Sequence, residues 1–259
     1  MSSPSPVPTT TRSEPRTFII WRGDKDSGTY TPYTAEITAG MVVLDAIHQI
    51  QAVHAPDLAV RWNCKAGKCG SCAAEINGKP RLMCMTRMES LPPGPIHVAP
   101  MKAFPNIKDL VTDVKWNYAV NKRIKPFKPK QVEADGSLRM QQHDIDRVQE
   151  FRKCIECFLC QDTCHVLREH DKHAEFAGPR FFVRMASLEM HPQDAEDRRE
   201  FLKKEAAIGY CNITKCCTEV CPEHIHITDN AIIPLKERVV DQYYDPLAAA
   251  IRFVFGSKK

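Results

Sequence analysis

The stretch CIECFLCQDTC at residues 154–164 and the stretch CNITKCCTEVCP at residues 211–222 decide the fold of the second half of this chain. Both follow one pattern, in which four positions are separated by steps of three, three and four residues. Cysteine occupies all four positions of the first copy, whereas Thr214 stands at the second position of the second copy. Cys216 falls outside the repeat. The chain therefore carries one ligand pattern twice, with one thiol missing from the second copy.

Cysteines at this spacing bind cubane iron–sulfur clusters, and the fourth cysteine of each run binds the cluster of the other run. Exchanging the fourth positions predicts one site with four thiolates, from Cys154, Cys157, Cys160 and Cys221. It leaves three thiolates for the other site, from Cys164, Cys211 and Cys217. Four thiolates suit a 4Fe–4S cluster, and three suit a 3Fe–4S cluster, which lacks one corner of the cube. The pattern therefore predicts an electron carrier, in which no acid, base or nucleophile is needed and no catalytic residue is expected.

A third set of cysteines lies upstream, in the stretch CKAGKCGSC at residues 64–72. Cys64, Cys69 and Cys72 have the plant-type spacing of 2Fe–2S ligands, and Cys84 completes the set. Two glycines lie inside this loop, where the backbone has to wrap closely around inorganic sulfide and aim N–H groups at it. The sequence therefore predicts a 2Fe–2S cluster held by these four cysteines.

Other uses of twelve cysteines are disulfide bonds and structural zinc. Disulfide bonds require an oxidising compartment, and the first sixteen residues have no apolar stretch typical of a signal peptide. A zinc-stabilised scaffold without electron transfer is the alternative of a different class, but zinc sites usually pair two short knuckles and neither cysteine group divides in that way. Cys216 is expected to be a packed thiol rather than a ligand.

Composition and charge narrow the possible partners. The formal net charge is +4, and no run of 18 apolar residues exists that could span a bilayer. The apolar stretch at residues 247–255 contains Arg252, and either packs on its own domain or contacts a partner or a membrane surface. The basic segment at residues 115–130 contains two prolines and no nucleic-acid motif, so we expect a solvated linker and no nucleic-acid binding.

The first half of the chain has the pattern of a small sheet crossed by a helix. Predicted strands lie at residues 17–21, 30–37, 73–76, 79–83 and 96–99, and a predicted helix at residues 41–54. Asn77-Gly78 is a strong signal for a hairpin that returns the chain to Cys84, and Pro80 implies an edge strand. These elements predict a β-grasp 2Fe–2S ferredoxin domain at residues 16–105, after a disordered N-terminus at residues 1–15.

The second half reads as helical. Helices are predicted at residues 106–121, 144–152, 180–190, 196–207 and 230–240, with a linker at residues 122–136. Gly178-Pro179 indicates a turn into a helix with proline near its start. We therefore expect a connecting helix and linker at residues 106–143, an α-helical ferredoxin domain at residues 144–240 and a C-terminal tail at residues 241–259. The fold class is α+β.

Several motifs together resemble those of the iron–sulfur subunits of succinate dehydrogenase and fumarate reductase, from about residue 16 to residue 240. They are the loop at residues 64–72, the Asn77-Gly78 turn before Cys84, the stretch FPNIKDLV at residues 104–111 and the two later cysteine runs. The resemblance implies the electron-transfer subunit of succinate:quinone oxidoreductase, respiratory complex II of the tricarboxylic acid cycle. Electrons would pass from an FAD subunit through 2Fe–2S, 4Fe–4S and 3Fe–4S clusters towards membrane quinone. Fumarate reduction, or another flavoprotein partner, remains an alternative.

The same resemblance implies partners and a location. They are an FAD-containing flavoprotein, a membrane anchor of one or more subunits, and quinone near the 3Fe–4S cluster, at the cytoplasmic face of the cell membrane. Many relatives have Pro-Ser and paired tryptophans after the cysteine that matches Cys164, and often a histidine at the position of Asn212. This chain has His165-Val166-Leu167-Arg168 there. We therefore expect a differently built quinone pocket, or an anchor with its own site or an extra redox centre, and His165 as an ordinary surface residue.

Overall fold

A computed structural model describes residues 13–246 and residue 250 of the chain. The chain divides into two units, the first ending at Thr112 and the second beginning at Asp113. A five-stranded sheet forms the centre of the first unit, and the second is built from helices. The predicted α+β fold class is confirmed. The first twelve residues and, apart from residue 250, the apolar stretch at residues 247–255 lie outside the described part.

The first unit contains the strands and the helix that the sequence predicts. In chain order these elements are β1 (Glu14–Gly23), β2 (Gly28–Ile37), α1 (Val43–Val53), β3 (Ala73–Ile76), β4 (Lys79–Leu82) and β5 (Ile96–Ala99). The strand order in the sheet is β2-β1-β5-β3-β4, with β1 antiparallel to β2 and parallel to β5. Val43, Ile47 and Ile50 of α1 are fully buried. Burying each of these side chains contributes about 1.5–3 kcal/mol, and this face positions α1 as predicted.

The hairpin of β3 and β4 brings two cysteines together. Asn77 and Gly78 have φ of 50° and 72°, the left-handed values that a two-residue hairpin turn of this kind requires. Because β4 is an edge strand, Pro80 interrupts no ladder on its outer side. The N–H of Cys84 donates to Sγ of Cys72 at 3.4 Å. The hairpin therefore delivers Cys84 to the cluster loop, as expected.

Two sequence-based boundaries are wrong. Residues 14 and 15, expected to be disordered, belong to β1. The helix expected at residues 106–121 is instead a short hairpin of β6 (Asn106–Lys108) and β7 (Val111–Thr112), followed by α2 (Lys115–Arg123). Asp109 lies in that hairpin with φ of 48° and is 2% exposed. Its carboxylate accepts hydrogen bonds from residues far away in sequence, so these contacts override the local helical pattern.

The second unit is a set of mostly short helices. After α2 they are α3 (Gln142–Gln149), α4 (Leu159–Asp162), α5 (His165–Arg168), α6 (Pro179–Glu189), α7 (Arg199–Lys204), α8 (Cys216–Glu219) and α9 (Ile233–Tyr243). A π-helical stretch, Ile227–Ile232, leads into α9. Gly178 has φ of 86° and Pro179 begins α6, as the sequence predicts. The helix expected at residues 196–207 is shorter, because it begins only at Arg199.

Helix α6 forms the centre of this unit. Phe181, Phe182 and Met185 are at most 1% exposed, and Leu202 and Leu235 from α7 and α9 are fully buried. They belong to one hydrophobic cluster that several of the later cysteines also join or pack against. Burying apolar area on this scale is the main stabilising term for a small domain. The cysteine runs therefore lie against the core of the unit rather than on detached loops.

The sequence repeat is also a structural repeat. In the first run, Glu156 and Phe158 have φ of 56° and 62°, and α4 follows. In the second run, Ile213 and Lys215 stand at the corresponding positions with φ of 61° and 62°, and α8 follows. Left-handed backbone is unfavourable for a β-branched residue such as Ile213, and such strain concentrates at functional sites. The two runs therefore adopt the same turned backbone.

Candidate iron–sulfur sites

The upstream cysteines lie around a tightly turned loop. Lys65, Gly67 and Gly70 have positive φ, between 54° and 69°. The N–H groups of Ala66 and Lys68 both donate to Sγ of Cys64 at 3.3 Å. Backbone N–H groups aimed at a sulfur stabilise the negative charge of a bound cluster.

The thiols of this loop differ in their acidity. Burial tends to raise the pKa of Cys69, but hydrogen bonds from Ser71 and from Cys64 lower it to about 7. Burial raises the pKa of Cys72 to about 12. A buried thiol of this kind loses its proton when a metal supplies the compensating positive charge. The loop and Cys84 therefore fit a metal–sulfur group, with Cys64 as the exposed member of the set.

In the second unit, one cavity has cysteines from both runs in its wall. Those cysteines are the predicted four-thiolate set, Cys154, Cys157, Cys160 and Cys221. Burial raises the pKa of Cys157 to about 12 and that of Cys160 well above its ordinary value. The N–H of Ile225 donates to Sγ of Cys221 at 3.4 Å. We call this the first cavity. It brings the last cysteine of the second run to the first three of the first run.

A second cavity is lined by the predicted three-thiolate set, Cys164, Cys211 and Cys217. Thr214 and Cys216 also line it. Burial raises the pKa of Cys164 to about 11 and that of Cys217 to about 12. The spacing of the sequence places Cys216 outside the repeat, yet its side chain reaches the same wall. Its expected role as a non-ligand stays a prediction.

Polar residues around the second cavity were partly missed by sequence reasoning. Thr228 is buried, and its hydroxyl oxygen lies 3.4 Å from Sγ of Cys217. Thr218 joins it, because its hydroxyl oxygen accepts a hydrogen bond from the N–H of Thr228 at 3.0 Å. His165 and Asn212 both line this cavity, and His165 is exposed. No pattern in the sequence indicated that Thr228 would lie beside Cys217.

Room between the thiols distinguishes these sites from single-ion sites. Within residues 13–246, no three His, Cys, Asp or Glu side chains converge closely enough for one metal ion. The thiols of each later set instead surround a small cavity. A cluster with several irons and sulfides is wider than one zinc ion, whose thiolates approach a common point at about 2.3 Å. The donor set and its spacing fit iron–sulfur clusters.

Two protein families match the chain, and they define its class. The family described as "2Fe-2S iron-sulfur cluster binding domain" matches residues 17–118, and the family described as "4Fe-4S dicluster domain" matches residues 150–225. The chain is an iron–sulfur protein with a 2Fe–2S domain followed by a domain of the 4Fe–4S class. The predicted 2Fe–2S class of the first domain and the predicted 4Fe–4S class of the second are confirmed.

Known proteins narrow the class further. The fumarate reductase iron–sulfur subunit of Mycobacterium tuberculosis (strain CDC 1551 / Oshkosh) is 32% identical over 202 residues, which cover 76% of this chain and 81% of that protein. The succinate dehydrogenase iron–sulfur subunit of Bacillus subtilis (strain 168) is 29% identical over 262 residues, covering 93% and 96%. A solved structure, the "Mycobacterium smegmatis Sdh1 complex in the apo form", has a chain 57% identical with a TM-score of 0.87, covering 91% of this chain and 100% of that one. The chain spans 40–42% of three longer relatives.

The chain belongs to the family of iron–sulfur subunits of succinate dehydrogenases and fumarate reductases. It is an electron-transfer subunit of an oxidoreductase of this family, so the predicted electron carrier is confirmed over the zinc-stabilised scaffold. None of the helices in the described part is long and apolar enough to cross a membrane.

Proposed function

We propose that this chain passes electrons from an FAD-containing subunit through 2Fe–2S, 4Fe–4S and 3Fe–4S clusters towards membrane quinone, as part of a succinate:quinone oxidoreductase. When bound, the clusters accept and release one electron at a time, which divides the electron pair of a flavin into single steps. The protein's own residues hold the clusters, exclude water and set the charge around them. The observation that carries the proposal is the mixed origin of the cysteines in the two cavities.

The ligand sets are proposed from this geometry. Cys64, Cys69, Cys72 and Cys84 would hold the 2Fe–2S cluster, and the four cysteines of the first cavity the 4Fe–4S cluster. Cys164, Cys211 and Cys217 would hold the 3Fe–4S cluster. The exchange predicted from the spacing, with the fourth cysteine serving the other run, agrees with the residues that line each cavity.

The 3Fe–4S assignment is supported by Thr214. This residue lines the second cavity at the position that corresponds to Cys157 in the first run. A neutral hydroxyl is a poor ligand for iron beside thiolates, since the soft thiolate is what iron–sulfur sites select. Three thiolates and a hydroxyl therefore favour a cube that lacks one iron.

The direction of electron flow and the partners are also proposed. The Bacillus subtilis relative that matches nearly the whole chain is named a succinate dehydrogenase subunit, and the Mycobacterium smegmatis chain at 57% identity belongs to an Sdh1 complex. These relatives support succinate oxidation, although fumarate reductases also match. We place the chain at the cytoplasmic face of the membrane, between the flavoprotein and a membrane anchor. We further propose that the quinone site depends mainly on the anchor, because the second cavity lacks the tryptophan pair of many relatives.

Isolation of the native complex tests this function. We expect iron and acid-labile sulfide in the ratio for three clusters, copurification with a flavoprotein and an anchor, and succinate-dependent reduction of quinone. Zinc without sulfide would refute the electron-transfer role. Fumarate reduction faster than succinate oxidation under matched driving force would reverse the direction.

The exchange of ligands is tested by a matched pair of variants in the purified complex. Cys221→Ala should remove the EPR signal of the reduced 4Fe–4S cluster, although Cys221 belongs to the second run. Cys164→Ala should remove the signal of the oxidised 3Fe–4S cluster, although Cys164 belongs to the first run. The 2Fe–2S signal, from the other unit, serves as the control for folding. The opposite pattern of losses would show that each run binds its own cluster.

A further inference from the structure

One arginine lies in the wall of the first cavity. Arg180 is the second residue of α6 and is 6% exposed. Its backbone N–H donates to Oε1 of Gln161 at 3.2 Å, and Gln161 is itself fully buried and donates to the carbonyl oxygen of Ala177. The side chain forms an ion pair with Glu156. Buried hydrogen bonds therefore fix the start of α6, and the ion pair with Glu156 holds the guanidinium.

Arg180 contributes to the walls of two neighbouring cavities. It lines the first cavity, and it also lines an adjoining open groove of about 540 Å³. Glu156 lines the groove but not the first cavity, so Arg180 is the only member of this ion pair in the cavity wall. Glu223 is the other charged side chain at the first cavity, and it is partly exposed. Water and salt screen an exposed charge more strongly than a buried one, so the charge of Arg180 is less screened than that of Glu223.

The guanidinium also has an unused donor. Nε of Arg180 is buried and has no hydrogen-bond partner within residues 13–246. A buried donor without a partner costs about 1–3 kcal/mol, so such a group usually has a function or a partner that is added later. Cluster sulfurs accept hydrogen bonds, and those bonds are among the factors that set the reduction potential of a cluster.

We propose that Arg180 raises the reduction potential of the 4Fe–4S cluster and that Glu156 limits this effect, so the pair sets the middle step of the electron path. The inference rests on the proposed function, because it takes the first cavity as the 4Fe–4S site. Reduction adds one negative charge to a cluster that is already anionic with its thiolates. A fixed positive charge in a buried wall stabilises the reduced form more than the oxidised form. Arginine keeps its charge at every working pH, so the effect is permanent.

The test compares two arginines on one helix. Arg184 lies one turn after Arg180 and lines the groove without lining the first cavity. Arg180→Gln and Arg184→Gln remove the same charge from the two positions. Redox titration of the purified complex, followed by EPR, gives the potential of each cluster. For Arg180→Gln we expect the one-electron reduction of the 4Fe–4S cluster to become about tenfold less favourable, which lowers its reduction potential by about 59 mV. Arg184→Gln should shift it much less.

Two further variants separate tuning from a structural role. Arg180→Lys keeps the charge and should restore most of the potential. Glu156→Gln removes the counter-charge and should raise the potential, which is the opposite sign to Arg180→Gln although both break the same ion pair. A merely structural ion pair would give the same sign, or no shift, for both.

The outcomes are distinguishable from failure of the proposed function. That failure would appear in the unaltered complex, as the absence of a 4Fe–4S signal that Cys221→Ala removes. The inference on Arg180 fails if the signal is present but Arg180→Gln, Arg184→Gln and the unaltered complex have equal potentials. If Arg180→Gln does not retain the cluster, Glu156→Gln decides: a higher potential supports the proposal, and an unchanged or lower one overturns it.

Discussion

The hydroxyl oxygen of Thr214 lies 3.3 Å from Sγ of Cys216, at the edge of the second cavity. Thr214 stands where the first run has a cysteine, and Cys216 is the only cysteine of the second run outside the repeat. A thiol that is outside the repeat therefore contacts the residue that replaces the missing cysteine. Two predictions separate the roles of these side chains.

Thr214→Cys should convert the three-iron site towards 4Fe–4S. The new thiolate would occupy the fourth corner, the role proposed for Cys157 in the first run, and we expect a lower reduction potential for the converted cluster. The measurement is EPR of the oxidised complex, in which the 3Fe–4S signal should decrease. Thr214→Ser keeps the hydroxyl and is the control, with an unchanged signal. An undiminished 3Fe–4S signal in Thr214→Cys would contradict the role of Thr214.

Cys216→Ser should preserve all three cluster signals and electron transfer. The spacing assigns eleven cysteines as ligands and leaves Cys216 as a packed thiol, although it lines the second cavity. Cys217→Ser, one residue further, is the matched control and should lose the 3Fe–4S signal. Loss of that signal in Cys216→Ser would make Cys216 a ligand and overturn the assignment.

Glu150 connects the two cysteine runs and should stabilise the second unit. It accepts hydrogen bonds from the N–H and Nδ1 of His226, at 2.8 and 2.7 Å, and from Nδ2 of Asn230 at 2.6 Å. Burial tends to raise its pKa, but these hydrogen bonds hold it below the ordinary value. Charged hydrogen bonds of this kind contribute about 1.5–3 kcal/mol when buried, and less here because Glu150 is partly exposed.

We therefore expect Glu150→Gln to lower the free energy of unfolding of the complex by about 1–2 kcal/mol at pH 7. Because the folded pKa is lower than the unfolded one, this contribution is present above the unfolded pKa and is lost as the pH falls through the folded pKa. Thermal unfolding from pH 7 down to pH 3 measures it, and the variant and the parent should converge at the acidic end. Glu200→Gln, at an exposed pair with Lys204, is the control and should change little. A constant difference at every pH would contradict the role of the carboxylate.

Asp109 should be essential to the first unit. Its carboxylate accepts hydrogen bonds from Nε of Arg22 at 3.1 Å, from the N–H of Gly23 at 3.0 Å and from the N–H of Ala59 at 2.8 Å. Removing the carboxylate leaves the N–H groups of Gly23 and Ala59 without their acceptor, and each buried donor left without a partner costs about 1–3 kcal/mol. Arg22 would keep its second carboxylate partner. Asp109→Ala should lower the unfolding free energy by about that amount for each of the two donors.

Asp57 provides a matched control for Asp109, because it pairs with the same guanidinium, at 2.5 Å, but its side chain is 67% exposed. Asp57→Ala should change stability by less than about 1 kcal/mol. Chemical denaturation monitored through the visible absorbance of the 2Fe–2S cluster measures both. Equal effects of the two variants would show that burial of Asp109 is not what matters.

Spacing predicted which cysteines of the two later runs line the same cavity, because a cluster requires its ligands at distances that short turns can span. The hairpin turn at Asn77-Gly78 could also be predicted from the sequence, since few residue pairs tolerate left-handed backbone at both positions. The helix expected at residues 106–121 failed for a different reason. Asp109 is fixed by partners as distant in sequence as Arg22, and no local pattern carries that information.

The positions of Arg180 and Cys216 in cavity walls were not predictable from the sequence. An arginine at the start of a helix is ordinary in sequence, and only the fold places it in a cavity wall. Cys216 is out of step when residues are counted along the chain, but it begins α8, directly after the left-handed turn at Lys215. Spacing along the sequence does not give the direction in which a side chain points, and that direction decides which cavity wall it joins.

Because both cavities are lined by cysteines of both runs, bound clusters would close residues 154–221 into a loop. Each cavity takes cysteines from both ends of that segment, so a bound cluster would fasten the ends to each other as a covalent staple does. Closing a long loop in this way removes freedom mainly from the unfolded chain. Cluster insertion would then stabilise the folded segment as the last step of maturation. Neither half of the segment, expressed alone, would contain a complete ligand set for a cluster.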